Sequence, residues 1–146
     1  MFTTSEDVKT HYSGDGSVGK KDLSLSNLSS GYTGASGLSG CYHLGTANTE
    51  ATILQISDIN ITDCVNISVS FGALGGSKDH KVSVYYKIDG GAETALITNG
   101  AITNKSWTLL NANISGTGKS LTLKFKHKPS KGWTIRMDDI RVVGTK

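Results

Sequence analysis

The sequence predicts an all-β fold, an antiparallel sandwich or barrel. From residue 51 onward, short segments with alternating apolar side chains recur, and turn residues separate them at the spacing typical of such folds. No segment shows the 3.6-residue periodicity of a helix. A chain of 146 residues fits one domain with a core that needs no metal or set of disulfides. We expect residues 1–146 to form a single module taken from a larger multidomain protein.

The first part of the chain offers few strand signals. The segment SLSNLSSGYTGASGLSG, residues 24–40, is poor in apolar side chains, and short β candidates occur only around Leu23, Leu25 and Tyr42. Its glycines recur every third residue from position 31 to 40, but four triplets without proline do not make a collagen helix. We expect an extended loop whose backbone packs closely against its surroundings.

Two strands with clear alternation follow. ATILQISDINI, residues 51–61, alternates apolar and polar side chains but slips phase at Ser57–Asp58. CVNISVSFGAL, residues 64–74, has no such slip and is the clearest core strand. The side chains that it is expected to turn inward are Val65, Ile67, Val69 and Phe71.

A hairpin comes next, in residues 80–98. Asp89-Gly90-Gly91 tolerates positive φ and closes the hairpin, with residues 92–98 as the partner strand. The first strand directs alternate apolar side chains inward and leaves Tyr85 and Lys87 on the opposite face. The inward side chains are Val82, Val84, Tyr86 and Ile88.

Two more strands precede the final one. SWTLLNANI, residues 106–114, carries Trp107 and Leu109, and residues 116–128 turn at glycines and then alternate regularly. In this second strand the apolar side chains are Leu121, Leu123 and Phe125. The opposite, polar face holds Thr122, Lys124, Lys126 and Lys128.

Two adjacent aspartates interrupt the final predicted strand, GWTIRMDDIRVVG, residues 132–144. Apolar side chains before the pair are odd-numbered, whereas Ile140 and Val142 after it are even-numbered. Either a β-bulge absorbs one residue, or the strand is regular and turns Asp139 inward, where a carboxylate requires hydrogen-bond donors or a cation. Both alternatives give Asp138 and Asp139 a special environment. The odd-numbered apolar residues are Trp133, Ile135 and Met137.

Composition argues against several classes of function. The net charge is +3, but lysines and arginines are spread along the chain, so nucleic-acid binding is not expected. No apolar run reaches the length of a membrane span, so membrane insertion is not expected either. No arrangement of histidines, serines or carboxylates predicts an enzyme. Cys41 and Cys64 predict either one disulfide, as in an extracellular protein, or two separate buried thiols.

Four strings in order carry a family resemblance: GYTGASGLSGCYHLG, VSFGALGGS, VSVYYKIDGG and IRMDDIRVVGT, within residues 31–145. Together they resemble a jelly-roll β-sandwich module of secreted polysaccharide-degrading bacterial proteins, similar to carbohydrate-binding modules. The resemblance implies a noncatalytic module that adsorbs to a polysaccharide of the plant cell-wall type and targets an attached glycoside hydrolase. It also implies a secreted or cell-surface location. The alternative is a structural or adhesive domain of a cell-surface protein.

The resemblance further implies a structural calcium, held by Asp139 and, less clearly matched, by Asp138. Glu6, Asp7 or Asp15 would supply the N-terminal ligand. Backbone N–H groups at a bulge are the competing way to satisfy the same carboxylate. Sugar rings stack on aromatic side chains and bond to polar groups beside them. On that basis the candidate sugar-binding residues are Tyr32, Tyr85, Lys87, Lys124, Lys126, Trp133 and Arg136.

Overall fold

The computed structural model describes residues 12–15, 17–21, 29–37, 41–45, 52–76, 80–127 and 135–145. Ten strands within these ranges form two antiparallel five-stranded sheets, which confirms the predicted β-sandwich. Within the same ranges no helix has the length and apolar composition needed to cross a lipid bilayer. The strands are β1 (Tyr12–Asp15), β2 (Ser17–Lys21), β3 (Cys41–Gly45), β4 (Thr52–Asn60), β5 (Val65–Gly75), β6 (His80–Ile88), β7 (Thr94–Ile102), β8 (Trp107–Ile114), β9 (Ser120–His127) and β10 (Ile135–Thr145).

The strand order of the first sheet, sheet A, is β1-β4-β9-β6-β7, and that of sheet B is β2-β3-β10-β5-β8. The two sheets bury one continuous apolar core, to which β4 to β10 contribute mainly alternate side chains. At the centre, Phe71 of sheet B meets Phe125 of sheet A edge to face, with ring centroids 5.1 Å apart. This pair ties the two layers together.

The inward faces of β6 and β9 are those predicted. Val82 and Val84 are fully buried in β6, and Leu121, Leu123 and Phe125 are fully buried in β9. The side chains between them remain partly exposed, as the alternation requires. The sequence therefore predicts correctly which side of sheet A faces outward.

In β5 the prediction for one residue is wrong. Ile67, Val69 and Phe71 are fully buried, but Val65 is 43% exposed. Asn66 has a positive φ of 51°, and the register between β5 and β10 shifts just there, between Val143 and Thr145. A bulge at Asn66 thus reverses the parity of the strand and turns Val65 outward.

The hairpin between β6 and β7 turns at Asp89-Gly90 as predicted, but its second strand spans Thr94–Ile102 instead of residues 92–98. Asp89 and Gly90 both have positive φ, and the Gly91 amide donates to the Ile88 carbonyl at 2.9 Å, as in a type I′ turn. Asp89 Oδ1 also accepts the amides of Ser120 and Lys119, at 2.8 and 2.9 Å. The hydrogen bonds from Ser120 and then Lys119 lower the pKa of this carboxyl. The turn is thereby fixed to the start of β9.

The N-terminal half contains strands that the sequence did not reveal. β1 pairs with β4 and β2 pairs with β3, although neither β1 nor β2 shows apolar alternation. Tyr42 lies in β3 as expected, whereas Leu23 and Leu25 lie outside the described residues.

The two cysteines lie beside opposite ends of β10. Cys64 carries a free thiol and precedes Val65, which pairs with Thr145 near the end of β10. Cys41 is next to Tyr42, which pairs with Met137 near its start. The structure therefore supports a separate thiol at Cys64 and not a bond between these two positions.

A histidine pair is buried beside the core. His127 is fully buried, its ring centroid lies 5.2 Å from that of His80, and its Nδ1 is 3.2 Å from the Lys81 carbonyl oxygen. Burial lowers the pKa of His127; the Lys81 carbonyl opposes this effect, and the charge of His80 adds to it. The unfolded chain therefore takes up a proton at this position more readily than the folded domain does.

We expect the domain to lose stability as the pH falls below about 6.5, the ordinary pKa of histidine. His127 contributes stability above that pH, and the contribution is lost as the pH drops through its lowered folded-state pKa. Replacing His127 by glutamine removes this proton uptake. Urea unfolding at pH 8 and pH 5 should show a smaller acid-induced loss in the variant, and equal losses would contradict the assignment.

Candidate functional site

The outer face of sheet A is built by three neighbouring strands, β4, β9 and β6. Tyr85 lies directly opposite Lys124, which in turn lies opposite Gln55. Residues opposite one another on antiparallel strands present their side chains on the same face. One row therefore carries an aromatic ring, an ammonium group and an amide. The adjacent rows pair Lys87 with Thr122 and Ser83 with Lys126.

Glu93 lies between two of these lysines. It follows the Asp89-Gly90 turn, and its carboxylate accepts from Lys124 Nζ at 2.5 Å and from Lys126 Nζ at 3.4 Å. The hydrogen bond from Lys124 is the main cause that lowers the pKa of this carboxyl; slight burial opposes it, and the charges of Lys124 and Lys126 add to it. All three side chains are partly exposed, so a ligand can reach them.

Tyr85 is held beside this ion cluster. Lys126 Nζ lies 4.7 Å from the centre of the Tyr85 ring, within the range of a cation–π contact. A shallow surface depression adjoins the ring. Its lining combines apolar ring surface with hydrogen-bonding groups of both kinds, supplied by Tyr85, Tyr86, Lys87, Glu93, Thr122 and Lys124.

β6 and β9 are neighbours, so the candidate residues Tyr85, Lys87, Lys124 and Lys126 share one face. Glu93 is the residue that sequence reasoning missed. Ala95 pairs with Tyr85, and Glu93 lies two residues before Ala95, just outside β7, on the same side. The register that places it there is visible only in the structure.

The two aspartates of β10 occupy a β-bulge, the first of the predicted alternatives. Asp138 pairs with Gly72 and Arg141 with Ser70, so β10 uses one residue more than β5 over this interval. Asp139 adopts the left-handed conformation with φ of 53°. The bulge restores Ile140 to the core, where it is 8% exposed.

The Asp139 carboxylate anchors residues 29–37 to sheet B. Its Oδ2 accepts the Tyr32 hydroxyl at 2.7 Å and the Ser36 amide at 3.1 Å. Burial alone would raise the pKa of Asp139, but the bonds from Tyr32 and Ser36 outweigh it and lower the pKa. Burial and the same carboxylate raise the pKa of the Tyr32 hydroxyl. Asp139 therefore remains a charged acceptor for the segment.

Asp138 has a different environment. Burial raises its pKa to about 6, although its Oδ1 accepts the Asp139 amide at 2.8 Å. Its Oδ2 is buried and has no hydrogen-bond partner among the described residues. The neighbouring carboxylates thus differ: Asp139 Oδ2 accepts two hydrogen bonds, whereas Asp138 Oδ2 meets no donor at hydrogen-bond geometry among the described residues.

Tyr32 packs tightly on sheet B. A Cβ added at Gly72 would overlap its hydroxyl and ring, and its ring centroid lies 6.5 Å from that of Trp107. Arg141 donates to the Gly34 carbonyl and fixes the same segment. Tyr32 is therefore committed to anchoring residues 29–37, as the expected close backbone packing requires.

The remaining predicted sugar-binding residues do not join the sheet A surface. Arg136 lies on the outer face of sheet B, where it pairs with Leu74 and His43, and its Nε is buried. Trp133 lies outside the described residues. Because Gly72 and Leu74 point outward on sheet B and are nevertheless buried, that face is covered near the bulge. The outer face of sheet A is the more accessible of the two.

Solved structures of other proteins have a similar fold. No family model matches the chain, and no curated relative matches it. A family 61 carbohydrate-binding module solved in complex with β-1,4-galactotriose is similar in structure, with 16% identity, 92% of this chain and 87% of that chain covered, and a TM-score of 0.64. The xylan-binding domain CBM22-1 of Paenibacillus barcinonensis Xyn10C gives 15% identity, 93% and 86% coverage, and a TM-score of 0.62.

An adhesin domain shares the same architecture. The K1 cleaved adhesin domain of Lys-gingipain from Porphyromonas gingivalis W83 gives 12% identity, 92% and 91% coverage, and a TM-score of 0.61. At these identities the likeness concerns the fold. The chain has a β-sandwich fold like that of carbohydrate-binding modules.

Proposed function

We propose that this domain is a noncatalytic carbohydrate-binding module that binds its polysaccharide on the outer face of sheet A. The observation that carries the proposal is the surface around Tyr85, where a partly exposed ring adjoins a depression bordered by Lys87, Glu93 and Lys124. A sugar ring has flat CH faces that stack on an aromatic side chain, and hydroxyls that pair with donors and acceptors at its edge. This surface supplies both.

The arrangement favours adsorption over chemistry. Glu93 is engaged by Lys124 and Lys126, and its lowered pKa makes it a poor proton donor near neutral pH. Glycoside hydrolysis requires a second carboxylate facing the first across the sugar. Glu93 is the only carboxylate among the described residues that line the depression. The surface can therefore hold a glycan but is not equipped to cleave one.

In the parent protein we expect the module to tether an attached glycoside hydrolase to its substrate. Tethering raises the local concentration of the enzyme on the polymer without a new catalytic contact. We propose a secreted or cell-surface location and a substrate of the plant cell-wall type. Two structural neighbours, one in complex with a galactotriose and one a xylan-binding domain, support a polysaccharide partner.

We also propose that a structural calcium ion binds at the bulge of β10. The spare Oδ2 of Asp138 is the kind of hard oxygen that calcium binds. Among the described side chains no three His, Cys, Asp or Glu residues converge on one point, so further ligands would be carbonyl oxygens or come from other parts of the chain. Glu6 and Asp7 lie outside the described residues, and of Asp15 only the backbone is described. A bound ion would tie the bulge more firmly to its neighbours.

Affinity electrophoresis through gels that contain one polysaccharide each tests the proposed function. We expect one or more glycans to retard the domain and the Tyr85→Ala variant to migrate freely, because the stacking platform is gone. Loss of one well-placed aromatic should weaken binding at least about tenfold. Trp107→Ala is the matched control, since it removes an aromatic from the outer face of sheet B.

If Trp107→Ala abolishes retardation and Tyr85→Ala preserves it, the binding site lies on sheet B. Unchanged mobility on every gel would favour the structural or adhesive alternative. Circular dichroism of both variants ensures that a difference in mobility reflects binding and not unfolding.

A further inference from the structure

The outer face of sheet A carries an excess of positive charge. By the alternation of β6 and β9, the face presents the ammonium groups of Lys81, Lys87, Lys124 and Lys126. Among the side chains that the structure describes, Glu93 is the carboxylate that lies between these lysines, while Asp89 at the margin is occupied by the amides of Lys119 and Ser120. Asp58 is exposed on the bulge of β4, at the level of Thr122. A surface with this balance attracts anions.

The geometry around Glu93 shows what kind of anion the lysines accept. One carboxylate bridges Lys124 Nζ at 2.5 Å and Lys126 Nζ at 3.4 Å, and Lys126 also lies over the Tyr85 ring. The carboxylate-binding position is therefore directly beside the aromatic platform. A uronic acid residue carries a carboxylate on a pyranose ring, so it combines the two features that this arrangement would recognise.

We propose that the ligand is an acidic, uronate-bearing polysaccharide, and that Glu93 occupies the position of the ligand's carboxylate until the glycan displaces it. This inference rests on the proposed function of the same face. Displacement is feasible because Glu93 is partly exposed and stands on a turn segment outside the β-ladder, between Ile88 and Thr94. An exposed ion pair contributes little free energy, so a ligand carboxylate can exchange with it.

The experiment compares gels that contain polygalacturonate, neutral galactan, or poly-glutamate as a polyanion without sugar rings. We expect polygalacturonate to retard the domain, and Glu93→Gln to be retarded about two- to fivefold more strongly, because the internal competitor is gone. Asp63→Asn makes the same change in net charge on an exposed turn away from this face, and its mobility should match the wild type after correction for charge. Lys126→Gln should weaken retardation.

Four results would overturn the inference. Retardation by neutral galactan alone would leave the proposed function standing but remove the acidic ligand. Weaker binding of Glu93→Gln to polygalacturonate would make Glu93 a direct ligand contact instead of a competitor. Equal retardation by poly-glutamate would reduce the effect to unspecific charge attraction. No retardation on any sugar gel would overturn the proposed function as well. Equal melting temperatures of the variants would show that differences in retardation do not arise from unfolding.

Discussion

Replacing Asp139 by alanine is expected to lower the free energy of unfolding by about 2–4 kcal/mol. Alanine tolerates the left-handed backbone of the bulge less well than aspartate, and the Tyr32 hydroxyl and Ser36 amide lose their charged acceptor. Residues 29–37 would then be held mainly by the Arg141 contact with Gly34. Urea unfolding of the variant and the wild type measures the difference.

The matched control is Asp58→Ala. Asp58 also occupies a bulge, between Ile56 and Ile59 of β4, with a φ of 59°, but its side chain is exposed. Its replacement should cost only the backbone strain, about 1 kcal/mol. Equal losses at both positions would show that the bonds to Tyr32 and Ser36 contribute nothing.

The same two variants test the calcium proposal. The hydrogen bonds of Asp139 do not depend on an ion, so the loss caused by Asp139→Ala should persist in a chelator. If calcium is bound at the bulge, adding it to the wild type should raise the melting temperature. Asp139→Ala disturbs the bulge that positions Asp138 and should reduce that increase, while Asp58→Ala retains it. If calcium does not change the melting temperature of the wild type, the proposed calcium site is wrong.

Replacing Phe125 by alanine is expected to cost about 3–5 kcal/mol, much of the 5–15 kcal/mol that stabilises a typical domain. The side chain is fully buried and meets Phe71 of the opposite sheet edge to face. Truncation leaves a cavity between the layers that neither sheet can close without moving as a whole. Thermal and urea unfolding should both report the loss.

A double-mutant cycle separates the ring contact from the lost volume. Phe125→Leu, Phe71→Leu and the double variant keep most of the apolar bulk, so a coupling of about 0.5–1.5 kcal/mol would belong to the aromatic pair itself. Additive effects of the two substitutions would instead assign the whole stabilisation to burial.

Local side-chain alternation made the central strands and two of their irregularities predictable. Phase slips at Ser57–Asp58 and at Asp138–Asp139 indicated disturbed strands, and a bulge lies at each of these sites. An inserted residue shifts the apolar positions of a strand from odd to even numbers or the reverse. A bulge with apolar side chains on both sides can therefore be recognised in the sequence. At Asn66 this signal is missing, since too few apolar residues precede it.

Other features depend on contacts that no local pattern encodes. β1 and β2 have little apolar content, and they are strands because β4 and β3 provide pairing partners. The bond from Tyr32 to Asp139 joins residues 107 positions apart. The cluster of Glu93 with Lys124 and Lys126 likewise required the order of strands in sheet A, which periodicity does not supply.

The edge of sheet A bears on how the domain behaves at high concentration. β7 is one of the two outer strands of this sheet, and a regular outer strand offers unpaired N–H and C=O groups to a strand of another molecule. In β7 the register slips between Ile97 and Gly100, Asn99 has a φ of 51°, and its amide turns back to donate to Ser83 Oγ at 3.1 Å. This irregular margin is a poor template for intermolecular pairing, so the sandwich is protected against aggregation along that edge.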